Sequence, residues 1–263
     1  MGKCVSIHSY RGGTGKTILA TNLAVLLARK GLNVALLDLD FRAPSLQVIF
    51  SKTLTEPVGC WLNDFLDGRC PAELAVISIN EQINLRGKLL LGMADHSFNA
   101  IRNVTEKSRS WEVSAVRKLY SLRKNLLDKW KIDWCFFDTS PGVGYTSVNA
   151  ALSADVSIIV TTLDSLDITG SENMMKGLHK EYAKRTFVII NKVFPETRNF
   201  TEAEKVDLIR HTETALKHPV LGAIPCYCDV LQTDRSTILA IQSPNHPFIK
   251  SLEQIAQKLD VTV

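Results

Sequence analysis

The sequence predicts an α/β protein built on a doubly wound, mainly parallel sheet with helices on both faces. Apolar segments of strand length alternate along the chain with segments of helical spacing, which is the pattern of parallel strands joined by right-handed crossovers. Several of these strands end in glycine or aspartate, at the edge where open α/β sheets bind ligands. The 263 residues contain no internal repeat, low-complexity stretch or linker, so we expect one domain, residues 1–263.

The first strand is predicted at residues 4–8, whose alternation is typical of a half-buried strand, and a helix follows at 18–29. The turn between them contains Arg-Gly-Gly-Thr-Gly-Lys-Thr at residues 11–17. Its glycines let successive N–H groups point into one concavity, and the helix start adds unpaired donors, so the main chain can hold a polyphosphate. Lys16 can reach the terminal phosphates, and the Thr17 hydroxyl can ligate Mg²⁺. We expect this chain to bind a nucleoside triphosphate.

The second strand, at residues 33–37, leads into two aspartates, Asp38 and Asp40. Residues two apart on a strand share a face, so both carboxylates can point toward the phosphate loop. One can hold the magnesium shell while the other orients the attacking water. The alternative is a pair of helix-capping aspartates.

A third apolar strand, at residues 134–137, ends in Asp138, an arrangement of the Walker B type in which the carboxylate anchors Mg²⁺. Pro141, Gly142 and Gly144 follow. The glycines permit a mobile loop whose N–H groups can sense the γ-phosphate. We therefore expect residues 138–144 to be a switch that distinguishes ATP from ADP.

A helix is predicted at residues 111–130, after a weaker strand candidate at 83–93 and a polar surface loop at 95–110. Residues 102–131 carry nine basic side chains against three acidic ones. This basic region could contact DNA phosphates or anionic lipid, although an ordinary solvated helix face is the favoured interpretation.

Composition points to a cytoplasmic protein. The net charge of +4 is too small to indicate a nucleic-acid partner by itself, and no apolar run approaches the ~20 residues needed to span a bilayer. The chain enters its first strand at once, which leaves no room for a secretory signal, so we expect all six cysteines to be reduced thiols. Cys226 and Cys228 supply only half of a tetrahedral metal site, and structural thiols are the simpler interpretation.

Residues 11–17, 38–46 and 138–155 together resemble the deviant Walker A ATPases of the ParA/MinD family. Two positions depart from that family: Arg11 replaces the signature lysine that acts across a dimer, and Ile18 replaces a hydroxyl residue. The resemblance implies catalysis by Lys16, Arg11 and Asp40, the last of which orients water, and magnesium ligation by Thr17, Asp38 and Asp138. It implies nucleotide contacts from the following residues: Gly12, Gly13, Thr14, Gly15, Lys16, Thr17, Ile18, Asn191 and Pro225. Phe194 stands where a GTPase needs an aspartate to read guanine, so ATP is favoured.

The family's activity implies a switch that positions or partitions a cargo. ATP and Mg²⁺ would bring two copies together as a homodimer, and hydrolysis, stimulated by an activating protein partner, would release them. The C-terminal amphipathic membrane helix of MinD-type proteins is not expected here. The alternatives are a metal-cofactor maturation ATPase that uses Cys226 and Cys228 and, ranked last, a dethiobiotin synthetase-like ligase.

Overall fold

Eight strands form a single sheet in the computed structural model, which describes residues 2–55, 57–80, 82–182, 185–194, 201–234 and 236–263. The strands are β1 Lys3–His8, β2 Val34–Leu39, β3 Ile77–Ser78, β4 Leu89–Gly92, β5 Trp134–Thr139, β6 Val156–Thr161, β7 Arg185–Val193 and β8 Val220–Pro225. Their order across the sheet is β3-β4-β2-β5-β1-β6-β7-β8. All neighbouring pairs are parallel except β3–β4 at one edge.

Helices cover both faces of the sheet, which confirms the predicted fold class. They are α1 Lys16–Arg29, α2 Leu46–Ile49, α3 Leu62–Asp67, α4 Ala72–Ala75, α5 Phe98–Thr105, α6 Arg109–Lys124, α7 Tyr145–Ser153, α8 Ser165–Tyr182, α9 Glu202–Leu216, α10 Cys228–Gln232, α11 Leu239–Gln242 and α12 Pro247–Thr262. α1, α11 and α12 pack on one face, while α3, α6, α7 and α8 pack on the other. Within the described ranges, no helix combines the length and apolarity that crossing a membrane requires.

The first strand differs from the half-buried strand predicted for it. β1 lies between β5 and β6, and its residues from Cys4 to His8 are all buried. The alternation of residue types is therefore not an alternation of exposure. Ser6 occupies one buried position because its hydroxyl pairs with that of Ser157 on β6, 2.9 Å away.

The polar segment at 95–110 is not a loop, contrary to the prediction. Ser97 caps α5 and Ser108 caps α6, each side chain accepting a hydrogen bond from a backbone N–H three residues on. No residue of α5 is fully buried, but Phe98, Ile101 and Val104 recur at helical spacing, a signal that the prediction of a loop overlooked. The long helix after it is confirmed as α6 and a π-helical turn, Asn125–Lys129, with Ala115, Leu119, Leu122 and Leu126 buried.

The prediction of six reduced thiols is also wrong for two of them. The structure joins Cys60 and Cys70 in a disulfide, with Cα atoms 6.6 Å apart, on either side of α3. The two cysteines are ten residues apart in the sequence, and the helix α3 between them brings them together. Cys4 and Cys135 are free and buried, and Cys226 and Cys228 are free near the end of β8.

Candidate functional site

The predicted site residues come together at the carboxyl ends of three neighbouring strands. In the sheet β5 lies between β2 and β1, so the turns after these strands meet at one edge. The turn after β1 carries the phosphate loop, β2 carries Asp38 one residue before its end, and β5 carries Asp138. The groups therefore meet at the carboxyl ends of the strands, which is where the sequence predicted the site.

The phosphate loop curls as its glycines require. Gly13 and Gly15 have φ angles of 81° and 97°, in the left-handed region that favours glycine. Lys16 begins α1 and is buried, and its Nζ donates to the Ser9 hydroxyl 2.8 Å away. Burial lowers the pKa of Lys16, whereas the negative charges of Asp138 and Asp40 raise it. The lysine is therefore fixed inside an acidic cluster.

Asp38 and Asp138 lie directly opposite each other on β2 and β5, and both are fully buried. Asp38 is held by the main chain: one oxygen accepts the N–H of Asp40, and the other accepts those of Ser45 and Leu46, at 2.9 to 3.1 Å. Burial still raises the pKa of Asp38 to about 7, against the lowering effect of these hydrogen bonds. Asp38 thereby shapes the segment that carries Asp40.

Asp138 has no such support. Within the described chain, neither of its buried oxygens has a hydrogen-bond partner of good geometry. Burial and then the neighbouring Asp38 raise its pKa to about 8, while the nearby Thr17 hydroxyl and Lys16 ammonium lower it. A buried carboxylate with so few hydrogen bonds is costly to ionise, so this position favours the binding of a cation in addition to Lys16.

Asp40 lies just beyond β2 and is less buried than Asp38. One of its oxygens accepts the N–H of Ala43, 3.2 Å away. Its charge acts on Lys16, Asp38 and Asp138, so it belongs to the same acidic cluster. The two aspartates of the predicted pair therefore have different surroundings.

Arg11 points away from this cluster toward the segment after β6. Its guanidinium lies 3.3 Å from a carboxylate oxygen of Asp164 and 3.9 Å from one of Asp167. The preceding Tyr10 packs its ring on Gly170 of α8, where any side chain would collide with it. Residues 10 and 11 are thus docked on the start of α8 in this structure.

The predicted switch segment lies against the phosphate loop. The Gly142 N–H donates to the Ser9 carbonyl at 2.8 Å, and Gly142 has a φ angle of 81°. Pro141 faces Gly12 across the loop, and Gly144 caps α7. This segment therefore adjoins both Asp138 and the loop that would hold phosphates.

His8, at the end of β1, is a buried histidine that joins β1 to β5. The Thr139 hydroxyl donates to the Ile7 carbonyl, so Nδ1 of His8 donates to that hydroxyl at 2.8 Å. Burial, together with the charge of Lys16, lowers the pKa of His8 to about 3. The ring is therefore neutral at physiological pH and does not act as a proton carrier there.

The residues predicted to contact the nucleotide base, Asn191 and Pro225, also lie at this edge of the sheet. Asn191, near the end of β7, is buried and its Nδ2 donates to the Thr14 carbonyl at 2.7 Å. Pro225 ends β8, one residue before Cys226, whose N–H donates to the Val193 carbonyl. Ile18 is partly buried in the first turn of α1.

Two other predicted features, the basic region 102–131 and the pair Cys226 and Cys228, receive less support from the structure than the acidic cluster does. In the basic region several side chains have protein partners: Lys107 pairs with Asp67, Arg123 with Asp155, and Lys118 donates to the Leu66 carbonyl. Arg102 is exposed and pairs with Glu106, and the other exposed basic residues are Arg109, Arg117, Lys124, Lys129 and Lys131. No group of three potential metal ligands occurs in the described residues, so Cys226 and Cys228 remain a pair.

The sequence did not indicate Ser9, Asp164, Asp167 or Lys192 as site residues. Ser9 and Asp164 come just after strands of the parallel sheet, and this position in the sequence could have indicated them as site residues. Lys192 donates from Nζ to the Gly13 carbonyl at 2.7 Å, and only the backbone conformation at the end of β7 reveals this contact.

Comparison with known proteins agrees with this geometry. The profile of the CobQ/CobB/MinD/ParA nucleotide binding domain matches residues 5–234. An uncharacterized ATP-binding protein of Methanocaldococcus jannaschii is 26% identical over 260 residues, covering 98% of this chain and 88% of the relative. The septum site-determining protein MinD of Synechocystis is 26% identical over 225 residues, covering 86% of this chain and 76% of the relative.

Solved structures share the fold. The cell division ATPase MinD of Pyrococcus furiosus superposes with a TM-score of 0.77 at 20% identity, over 100% of both chains. MinD of Pyrococcus horikoshii, solved as a complex with Mg-ADP, gives a TM-score of 0.76 at 21% identity, over 99% of this chain and 96% of that one.

Proposed function

The chain belongs to the CobQ/CobB/MinD/ParA family of nucleotide-binding domains, and on that basis we propose that it is a Mg²⁺-dependent ATPase that works as a dimerisation switch. The observation that carries the proposal is the buried Asp138 carboxylate, which lies near Lys16 and Thr17 and has no hydrogen-bond partner of good geometry among the described residues. A nucleotide with its cation satisfies each of these groups at once.

The residues present fit Mg²⁺. Carboxylate and hydroxyl oxygens are the ligands this cation prefers, and the two oxygens of Asp138 have no competing protein partner in the described chain. Thr17 and Asp138 would hold the ion, directly or through water, with the charge of Asp38 adding to the attraction. When bound, the ion supplies positive charge that stabilises the transferred phosphoryl group.

The remaining groups divide the work of hydrolysis. Lys16, oriented by Ser9, neutralises charge on the terminal phosphates. Asp40 accepts a hydrogen bond from the attacking water through the oxygen that Ala43 leaves available. Asp38 positions Asp40, because it binds the backbone at both ends of the segment 40–46.

The base-side contacts favour ATP over GTP. The hydrogen bond from Asn191 to Thr14 fixes the amide, so its Oδ1 is the acceptor left for the 6-amino group of adenine. Phe194, which is exposed, offers no carboxylate for the ring N–H of guanine.

Dimerisation is supported by the surface around the site. Large apolar side chains are exposed in the segments that follow four neighbouring strands, namely Tyr10, Val143, Leu163 and Phe194. Exposed apolar groups along one edge of a domain are typical of a protein interface. A second copy facing this edge would cover them, and Arg11 would leave Asp164 and Asp167 to reach the partner's phosphates.

The experiment is the mass of the protein in solution with ADP and with ATP, using Asp40→Ala to block hydrolysis. We expect a dimer with ATP and a monomer with ADP. Arg11→Ala in the same background should bind ATP but stay monomeric, whereas Arg210→Ala, an exposed arginine on α9, should dimerise normally. A monomer in both nucleotide states would contradict the switch, and a normal Arg11→Ala dimer would remove the trans role of Arg11.

The metal-cofactor alternative has weaker support. Burial raises the pKa of the Cys226 thiol, which disfavours the thiolate that binds metals. A site would also need cysteines from a second copy. Metal analysis of anaerobically purified dimer would reveal bound metal if this alternative is correct.

A further inference from the structure

The end of β7 departs from regular strand geometry next to the phosphate loop. The pairing of β7 with β8 shifts register between Ile190 and Val193, which marks a bulge. Within it, Lys192 has a φ angle of 57°, in the left-handed region that a lysine rarely occupies. Bulges re-aim side chains and are frequent beside active sites, and a left-handed lysine persists only where its surroundings repay the conformational cost.

Both residues of the bulge contact the phosphate loop through their side chains. Nδ2 of Asn191 donates to the carbonyl of Thr14, and Nζ of Lys192 donates to the carbonyl of Gly13, each at 2.7 Å. Two consecutive residues thus bind two consecutive carbonyls of the loop. The contact is close, since a side chain at Gly15 would collide with the Asn191 amide.

These two hydrogen bonds fix the direction of two N–H groups. In a planar trans peptide the N–H points opposite to the C=O, so a carbonyl held toward β7 turns the next N–H away from β7. The groups turned in this way are the N–H groups of Thr14 and Gly15. Neither makes a hydrogen bond in the part of the chain that the structure describes. Free N–H groups in such a concavity bind anions.

The same strand end also holds the base-side segment. Val193 pairs with Pro225, and its carbonyl accepts the N–H of Cys226. The phosphate loop on one side and residues 225–226 on the other are therefore fixed to one short stretch, 191–193. The spacing between the phosphate and base subsites depends on this stretch.

We propose that Asn191 and Lys192 form a clamp that holds the phosphate loop ready for a nucleoside di- or triphosphate, with Lys192 as its positioning residue. This inference rests on the proposed nucleotide-binding function. The ammonium of Lys192 acts through the Gly13 carbonyl. It orients the Thr14 N–H, and it holds the partially negative carbonyl oxygen away from the phosphates. Lys192 therefore serves the phosphates, whereas Asn191 keeps its Oδ1 available for the base.

A second lysine provides a matched control. Lys217 also has a left-handed backbone, with a φ angle of 56°, but it ends α9 and is exposed. Replacing either lysine changes the same backbone preference and the same charge, and only Lys192 touches the phosphate loop.

The test is the dissociation constant for a fluorescent ADP in the presence of Mg²⁺, with displacement by ADP and by adenosine, for the full chain and its variants. Lys192→Met should weaken ADP binding roughly tenfold or more, the loss expected for a charge-assisted hydrogen bond, and Lys192→Arg should restore part of it. Lys217→Met should bind as the unmodified chain does. Displacement by adenosine should change less than twofold in every variant.

Lys192→Gly keeps the test open if Lys192→Met folds poorly, because glycine suits the left-handed backbone while removing the ammonium. It should lose ADP affinity as Lys192→Met does and unfold at an equal or higher urea concentration. Unchanged ADP binding in both variants would overturn the clamp, as would an equal loss for ADP and adenosine. An unmodified chain that binds no ADP would overturn the proposed function, and the clamp with it.

Discussion

The ends of β2 and β5 present the same chemical group in two different settings. Asp38 and Asp138 are opposite each other in register, both are fully buried, and both have raised pKa values. Asp38 accepts three backbone N–H groups, whereas in the described chain Asp138 accepts none of good geometry. The first carboxylate stabilises the fold of its own loop, and the second is paired only when something binds. Burial and charge alone would not distinguish them.

The largest expected effect is on hydrolysis. Asp138→Asn removes the carboxylate that would hold the cation and should lower Mg²⁺-dependent ATP hydrolysis at least ~100-fold, the order of loss seen when one preorganised electrostatic group is removed. Phosphate release at saturating ATP measures it. Asn103→Asp, an exposed change on α5, is the control and should leave the rate unaltered. A rate for Asp138→Asn within a factor of three of the unmodified chain would remove Asp138 from the site.

The same substitution should change stability in opposite directions at the two positions. At pH 8 and without nucleotide, Asp138→Asn removes a buried charge that desolvation and the neighbouring Asp38 disfavour, and it should raise the free energy of unfolding by on the order of 2 kcal/mol. Asp38→Asn has one acceptor oxygen in place of two and faces N–H donors with its own NH₂ group, so it should lower that free energy by about 2 kcal/mol.

Urea unfolding of both variants measures this difference. Destabilisation by both substitutions to the same extent would mean that Asp138 has a structural partner after all, and the contrast between the two positions would fail.

A smaller effect concerns pH. A carboxyl group whose pKa is raised in the folded state stabilises the protein below its unfolded pKa, and that stability is lost as the pH rises through the folded value. With values of about 7 and 8 for Asp38 and Asp138, the nucleotide-free protein should lose on the order of 2 kcal/mol between pH 6.5 and 8.5. His8, with its pKa lowered to about 3, is neutral in the folded state throughout this window.

Unfolding by urea across this pH range tests the expectation, and Asp138→Asn should flatten the dependence. Stability that is constant or rises with pH over the window would contradict it.

The sequence predicted the groups that lie in short, local patterns. The phosphate loop, Asp138 and the glycines after it follow their strands within a few residues, and the topology of a parallel sheet brings strand ends together. The carboxylate pair was predicted as Asp38 and Asp40, one holding the magnesium shell and the other orienting water. The structure separates them, because the hydrogen bonds of Asp38 depend on how the segment 40–46 folds back.

Other features depend on tertiary structure. The disulfide partners Cys60 and Cys70 meet only because α3 turns between them. The Lys192 contact requires a left-handed backbone that no residue pattern at 190–193 indicates. The single-domain organisation, the role of Arg11 in trans and the binding of DNA by the basic region stay predictions.

The most direct measurement is the proton balance when Mg-ADP binds, obtained by calorimetry at pH 7 in buffers of different ionisation enthalpy. Since burial and mutual repulsion raise the pKa values of Asp38 and Asp138 to about 7 and 8, the free site holds protons that a cation must displace. We expect binding to release roughly one proton, and Asp138→Asn to release clearly fewer. Binding without proton release in the unmodified chain would contradict the view that Asp138 is protonated in the nucleotide-free site and ionises when a metal-bound nucleotide binds.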